Sequence, residues 1–188
     1  LALASSALQQ IVHNPLASDS TLAVAGGAQL SLMLVTLFFP AAGLFGSFWV
    51  AFAGAVAAIV LVLLVAGAGG MNALSLILAG LIANMVFAAV AAVIVQFYHD
   101  MLLGVMVWGA GALLQDGWAT VAALLWTTLA AAAAFALLQR PLTLLALDDE
   151  QARRLGVPVG LLRLLVLLLA AGITAQVVSR VGVISFAG

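Results

Sequence analysis

The stretch Arg140–Arg163, RPLTLLALDDEQARRLGVPVGLLR, holds most of the chain's few charged side chains and lies between two long apolar runs. Asp148 is placed to N-cap a short helix, Gln151 stands three residues on as in a capping box, and Gly156 with Pro158 stops it. Asp149 and Glu150 fall in the first turn and Arg153 and Arg154 in the last. The charges therefore complement the helix dipole, and each acid faces an arginine four residues on. Such pairs contribute only about 0.2–0.5 kcal/mol each. A helix this short is marginal in water, so tertiary contact through an apolar side made of Leu147, Ala152 and Leu155 has to hold it. A plain connector between two membrane spans needs only a few residues. A structured helix on the side that the arginines mark as cytoplasmic offers a soluble partner something to grip; the alternative is a solvated loop that merely orients the spans.

Outside this stretch the chain is apolar. Of its 188 residues 67% are hydrophobic and 6% charged, against about 25% charged in an ordinary soluble domain, and the mean hydropathy is +1.36. No charged side chain falls between Asp19 and Asp100, and a soluble fold so composed has too little polar surface to face water. The expected fold is an all-α polytopic membrane protein. It is a bundle of about five complete transmembrane helices with partial helices at both ends and a short cytoplasmic coupling helix. One domain takes in 1–188, with the coupling segment at 140–160, and the chain is expected to be a piece of a longer polypeptide.

Leu1–Val12 reads as the tail of a span ended by His13-Asn14-Pro15. Complete spans are expected over Thr21–Phe39, Phe45–Ala66, Asn72–Val95, Trp118–Gln139 and Leu161–Ser179. Met101–Gly117, too short and glycine-interrupted to cross, reads as a re-entrant or interfacial helix with Trp108 and Trp118 at the membrane surface. With Arg140, Arg153, Arg154 and Arg163 cytoplasmic, alternation puts His13–Ser20 and Gly67–Met71 inside. It puts Pro40–Leu44, Gln96–Gly117 and Arg180 outside.

Catalysis has little to stand on, and the chain is expected not to be an enzyme. It has no cysteine, its spans carry no Asp or Glu, and His13 and His99 lie on opposite sides, so no catalytic residue and no metal ligand is assigned. The absence of membrane carboxylates weighs against an ion-gradient secondary transporter, the rival from another class. No lysine follows Gly26-Gly27 or Gly67–Gly70 in a phosphate-loop pattern, so any ATP must be bound by another chain. Most intramembrane polar groups, Thr174 among them, read as interhelical hydrogen bonders. Asn84, mid-span with Gly80 one turn before it, is the candidate to line a pathway.

Several stretches, in order, resemble the permease subunits of ATP-driven importers for iron–siderophores, haem and vitamin B12. Asn14-Pro15-Leu16-Ala17 with Thr21–Ala28 is similar to NPLA followed by LGVxxGA, Ala23 standing where the pattern has glycine. Leu78-Ala79-Gly80-Leu81 is similar to the family's LAG segment, and Trp108–Trp118 to its W-x-x-G-x-L-x-x-x-x-W. Leu144–Gly156 is similar to LxALGEExARxLG, with Asp148 for glycine and Asp149 for glutamate. Gly182–Gly188 resembles GPIGFVG, with Val183 for proline and Ser185 for glycine. Within the family the wording looks like that of permeases for ferrichrome-type hydroxamate siderophores, in which two homologous halves are fused, and this piece would belong to the first.

The resemblance implies a transport subunit of the cytoplasmic (inner) membrane that moves a ferric hydroxamate, or another iron chelate, haem or cobalamin, by alternating access. Its implied partners are cytoplasmic ATPase subunits that carry the ATP and Mg, a periplasmic substrate-binding protein, a second homologous permease half and the lipid bilayer. No cofactor is expected on the chain itself. ATPase coupling would fall to Leu147, Asp148, Asp149, Glu150, Ala152, Arg153, Leu155 and Gly156. The cytoplasmic gate would be Asn14 and Leu16 with Gly70, Met71 and Asn72; Asn84 would border the path, and Arg180 would meet the binding protein.

Overall fold

A computed structural model describes residues 1–18, 21–39, 46–68, 73–98, 118–145, 149–154, 156 and 158–182. All its regular structure among these is helical: α1 (Ala2–Val12), α2 (Val24–Phe38), α3 (Ser47–Ala68), α4 (Ala73–Phe97), α5 (Trp118–Leu145), α6 (Asp149–Arg154) and α7 (Val159–Val181). Four of them, α3, α4, α5 and α7, are long and apolar enough to cross a membrane. The polytopic all-α architecture read from the sequence is thus the one observed. The stretch expected to fold as an interfacial helix, Met101–Gly117, lies outside the described residues.

Two boundaries differ by three residues or more from the sequence reading, each for a local reason. Helix α2 has 15 residues and starts at Val24, which at 1.5 Å per residue gives about 22 Å, less than the ~30 Å hydrocarbon core. The three residues lost at its start are spent in a turn. The Ser18 N–H donates to Thr21 Oγ1 at 2.7 Å and the Thr21 N–H to Ser18 Oγ at 3.1 Å, and Ala23 has a left-handed backbone, φ 59°. Helix α5, in contrast, runs past Gln139 through Pro141 to Leu145, 28 residues in all. Proline removes one donor and leaves the Leu137 carbonyl without its helical partner. Leu137 is 83% exposed, while the following turn is held by Leu142, which is buried, and by the Thr143 hydroxyl donating to the Gln139 carbonyl at 2.8 Å.

Helix α3 is the hub, packed on α2, α4 and α7; α7 also meets α1, α2 and α5. Small residues let the backbones close. A Cβ built on Gly27 of α2 would lie 2.5 Å from Ala58 Cβ and 2.6 Å from the Gly54 carbonyl oxygen, both on α3. One built on Gly54 would run into the Ser31 side chain and the Gly27 carbonyl. The Ser31 hydroxyl crosses the same seam to the Val50 carbonyl at 3.0 Å. Tight approach of this kind replaces the hydrophobic drive that helices lack inside lipid.

Candidate functional site

The coupling segment folds as expected at its centre. Helix α6, six residues long, packs on α5 and α7, and Gly156 beyond its end takes a left-handed φ of 80°, the conformation that glycine supplies at a helix C-terminus. Ala152 is fully buried against its own chain. It is therefore the anchor that a helix this short requires, and the surface α6 turns outward includes Gln151 and Arg154. Leu147, Asp148 and Leu155 lie outside the described residues, as do the side chains of Asp149, Glu150 and Arg153.

The gate candidates Asn14 and Leu16 sit in one turn. His13 caps α1 with φ 54°, the Asn14 carboxamide oxygen accepts the Leu16 N–H at 2.9 Å, and the Asn14 carbonyl accepts the Ala17 N–H at 3.1 Å. Asparagine makes such turns by mimicking the backbone. With Pro15 fixing φ and Ala17 buried, the turn presents Leu16, 69% exposed, at its tip. Gly70, Met71 and Asn72 lie outside the described residues. A crevice of about 420 Å³ runs between α1, from Leu3 to Gln10, and the C-terminal half of α5, from Ala132 to Thr143. The turn after α1 and helix α6 after α5 fall on the same side in the alternation expected from the arginines. At the opposite end Phe38, closing α2, meets Tyr98, just past α4, edge to face at 6.1 Å, as alternating spans require.

Asn84 and Gly80, one turn apart on α4, both face α2. A Cβ on Gly80 would strike the Thr21 carbonyl and lie 2.9 Å from Leu22 Cα; one on Gly26 would strike the Asn84 carboxamide oxygen and lie 3.5 Å from Phe87. Asn84 thus packs at the α2–α4 seam, while the far side of α4 with Leu78, Ile82, Met85 and Val93 is left exposed within this chain. Arg180 is half-buried in the last turn of α7, where a cation complements the helix dipole. Among the described residues no three His, Cys, Asp or Glu side chains come together to hold a metal. The sequence reading missed the Gly27/Gly54 seam, although the spacings Gly27-x-x-x-Ser31 and Gly54-x-x-x-Ala58 carry the small-residue signal for it.

Residues 1–188 match the FecCD transport family. The chain is 41% identical over 180 residues to the iron(3+)-hydroxamate import system permease protein FhuB of Escherichia coli, covering 96% of this chain and 27% of that protein. It is 33% identical over 193 residues to the Fe(3+) dicitrate transport system permease protein FecC of the same organism, and 32% over 193 residues to the hemin transport system permease protein HmuU of Yersinia pestis. In both cases 58% of the relative is covered. The chain therefore spans about a quarter of the first relative and somewhat over half of the other two. A solved structure described as an inward-facing conformation of an ABC transporter of metal-chelate type superposes with a TM-score of 0.80 at 27% identity, over 98% of this chain and 60% of that one. A multi-pass bundle with this ordered set of motifs, matched from end to end, belongs to the FecCD transport family.

Proposed function

We propose that this chain is part of the permease of an ATP-driven importer that carries a ferric hydroxamate siderophore across the cytoplasmic (inner) membrane by alternating access. The observation that carries the choice of substrate is the 41% identity to a hydroxamate permease, against 33% and 32% to permeases for ferric dicitrate and hemin. Helix α6 is the coupling element. Ala152 fixes it to α5 and α7, and its outward face, together with Asp148, Asp149, Glu150, Arg153 and Leu155, docks in a cleft of an ATPase subunit that holds ATP and Mg. The turn at Asn14–Leu16 and the segment Gly70–Asn72 close the cytoplasmic mouth. The exposed side of α4 lines the path with a second permease half, and Arg180 receives the periplasmic binding protein. Energy enters as differential contact: the partner shifts the bundle only by as much as it prefers one state, and a full swing needs ~5.5 kcal/mol, within reach of ATP-driven closure.

The test is uptake by the complete permease in liposomes with its ATPase and binding protein, offered a ferric hydroxamate, ferric dicitrate, hemin or a cobalamin in parallel. ATP-dependent uptake selective for the hydroxamate is expected. Selectivity for another chelate would keep the ATP-driven reading and replace the substrate, and flux that needs an ion gradient and no ATP would overturn the reading altogether.

A further inference from the structure

The coupling helix is joined to the membrane by the final turns of α5, and those turns contain the one residue type that cannot complete a helix. Helix α5 has 28 residues, about 42 Å, so it outruns a ~30 Å core and carries its last turns out towards α6. Pro141 lies inside it, four residues before its end at Leu145. A prolyl nitrogen has no hydrogen to donate, so the Leu137 carbonyl is left without its partner four residues on, and the ring crowds that same carbonyl. A helix bends most readily where a rung is missing.

The arm of α5 before that point has room on two sides. Towards the C-terminal end the crevice of about 420 Å³ separates Ala136, Gln139 and Thr143 from Ser6 and Gln10 of α1. Towards the N-terminal half a second crevice of about 480 Å³ separates Trp126 and Ala130 from Gly172 and Gln176 of α7. Beyond the proline the chain is held again, by Leu142 at 6% exposure and by Ala152 at 0%.

We propose that Pro141 is a positioning residue, a hinge through which displacement of α6 by an ATPase subunit swings α5 between its two flanking crevices. The inference rests on the ATP-driven reading and adds to it the part that moves.

The experiment uses the complete permease with its ATPase and binding protein in liposomes and reads ligand moved per ATP hydrolysed. Pro141→Ala restores the donor and stiffens the turn; it is expected to keep ATP hydrolysis while lowering ligand moved per ATP about threefold. Pro141→Gly keeps the turn pliable and is expected to recover most of that loss. Unchanged stoichiometry in Pro141→Ala overturns the hinge while leaving the importer reading intact, and a parent protein without ATP-dependent uptake overturns both. Spin labels at Ala122→Cys on α5 and Gln151→Cys on α6, both exposed positions, supply a second readout that does not depend on the proline variants folding. Their separation is expected to change between the nucleotide-free and ATP-trapped complexes, and an identical separation in the two states overturns the hinge.

Discussion

The α2–α3 seam and helix α5 are built to opposite specifications. At the seam the backbones approach so closely that neither Gly27 nor Gly54 has space for a Cβ, and Ser31 ties the two helices with a hydroxyl hydrogen bond. Helix α5 also packs on α1 and α7, but with a crevice along each of those contacts. Inside lipid, burial of apolar surface does not draw helices together, so packing and hydrogen bonds decide which of them stay fixed. The contrast sets a frame of α2, α3 and α4, closed by small residues, apart from α5, whose contacts leave space beside them.

The largest effect is expected where the frame is tightest. Gly54→Val would drive two γ carbons and a Cβ into the Ser31 side chain and the Gly27 carbonyl, and backbone cannot move aside as a long side chain can. The expected loss is about 3 kcal/mol, read as thermal unfolding of the detergent-solubilised permease. Gly160→Val is the control, since a Cβ there meets nothing within 4 Å, and it should cost no more than about 0.5 kcal/mol. Equal losses in the two variants would erase the distinction between frame and periphery.

A smaller effect, of opposite sign, is expected at the entrance to the frame. Ala23 is buried with φ 59°, a conformation that costs an L-residue with a side chain about 1–2 kcal/mol. Replacing it with glycine gives back about 0.4–1 kcal/mol through the freer unfolded chain, so Ala23→Gly should stabilise the permease by about 0.5–1 kcal/mol. No gain in unfolding temperature would show that α2 does not enter the bundle through a left-handed residue.

These two sites also mark how far the sequence could be read. Apolar runs and charge placement located the membrane helices, because length and hydropathy act over some twenty residues and average out local detail. The turn at Ser18–Thr21 escaped because reciprocal hydroxyl bonds, which leave no mark on hydropathy, decided where α2 starts. The span was ended at Gln139, before the charged Arg140; the helix runs on through Pro141 to Leu145, with Leu142 buried beyond the proline. At the coupling helix the need for an anchor was legible from its shortness. Ala152 was legible as one of three apolar candidates for that anchor, with Leu147 and Leu155; its complete burial needed the structure, since in a six-residue helix the faces are told apart by what the neighbours cover. Asn84 was legible as an unusual residue in mid-span, but its contact with α2 required knowing that Gly26 stood opposite.

The smallest effect compares two hydroxyls, one in the frame and one on α7. Ser31 donates within reach of both the Ala28 carbonyl at 2.8 Å and the Val50 carbonyl at 3.0 Å, so Ser31→Ala should cost about 0.6 kcal/mol, the usual size of such a bond in a membrane bundle. Thr174 is 1% exposed and its Oγ1 has no hydrogen-bond partner among the described residues. Valine has the same shape without the hydroxyl, and removing an unsatisfied buried polar group is neutral or favourable. Thr174→Val is therefore expected to leave the unfolding temperature unchanged or raise it slightly. A loss as large as that of Ser31→Ala would mean that the hydroxyl finds a partner in the complete permease. The partner would then come from residues outside those described, in this chain or in the rest of the permease, and α7 would belong to the frame as much as α2 does.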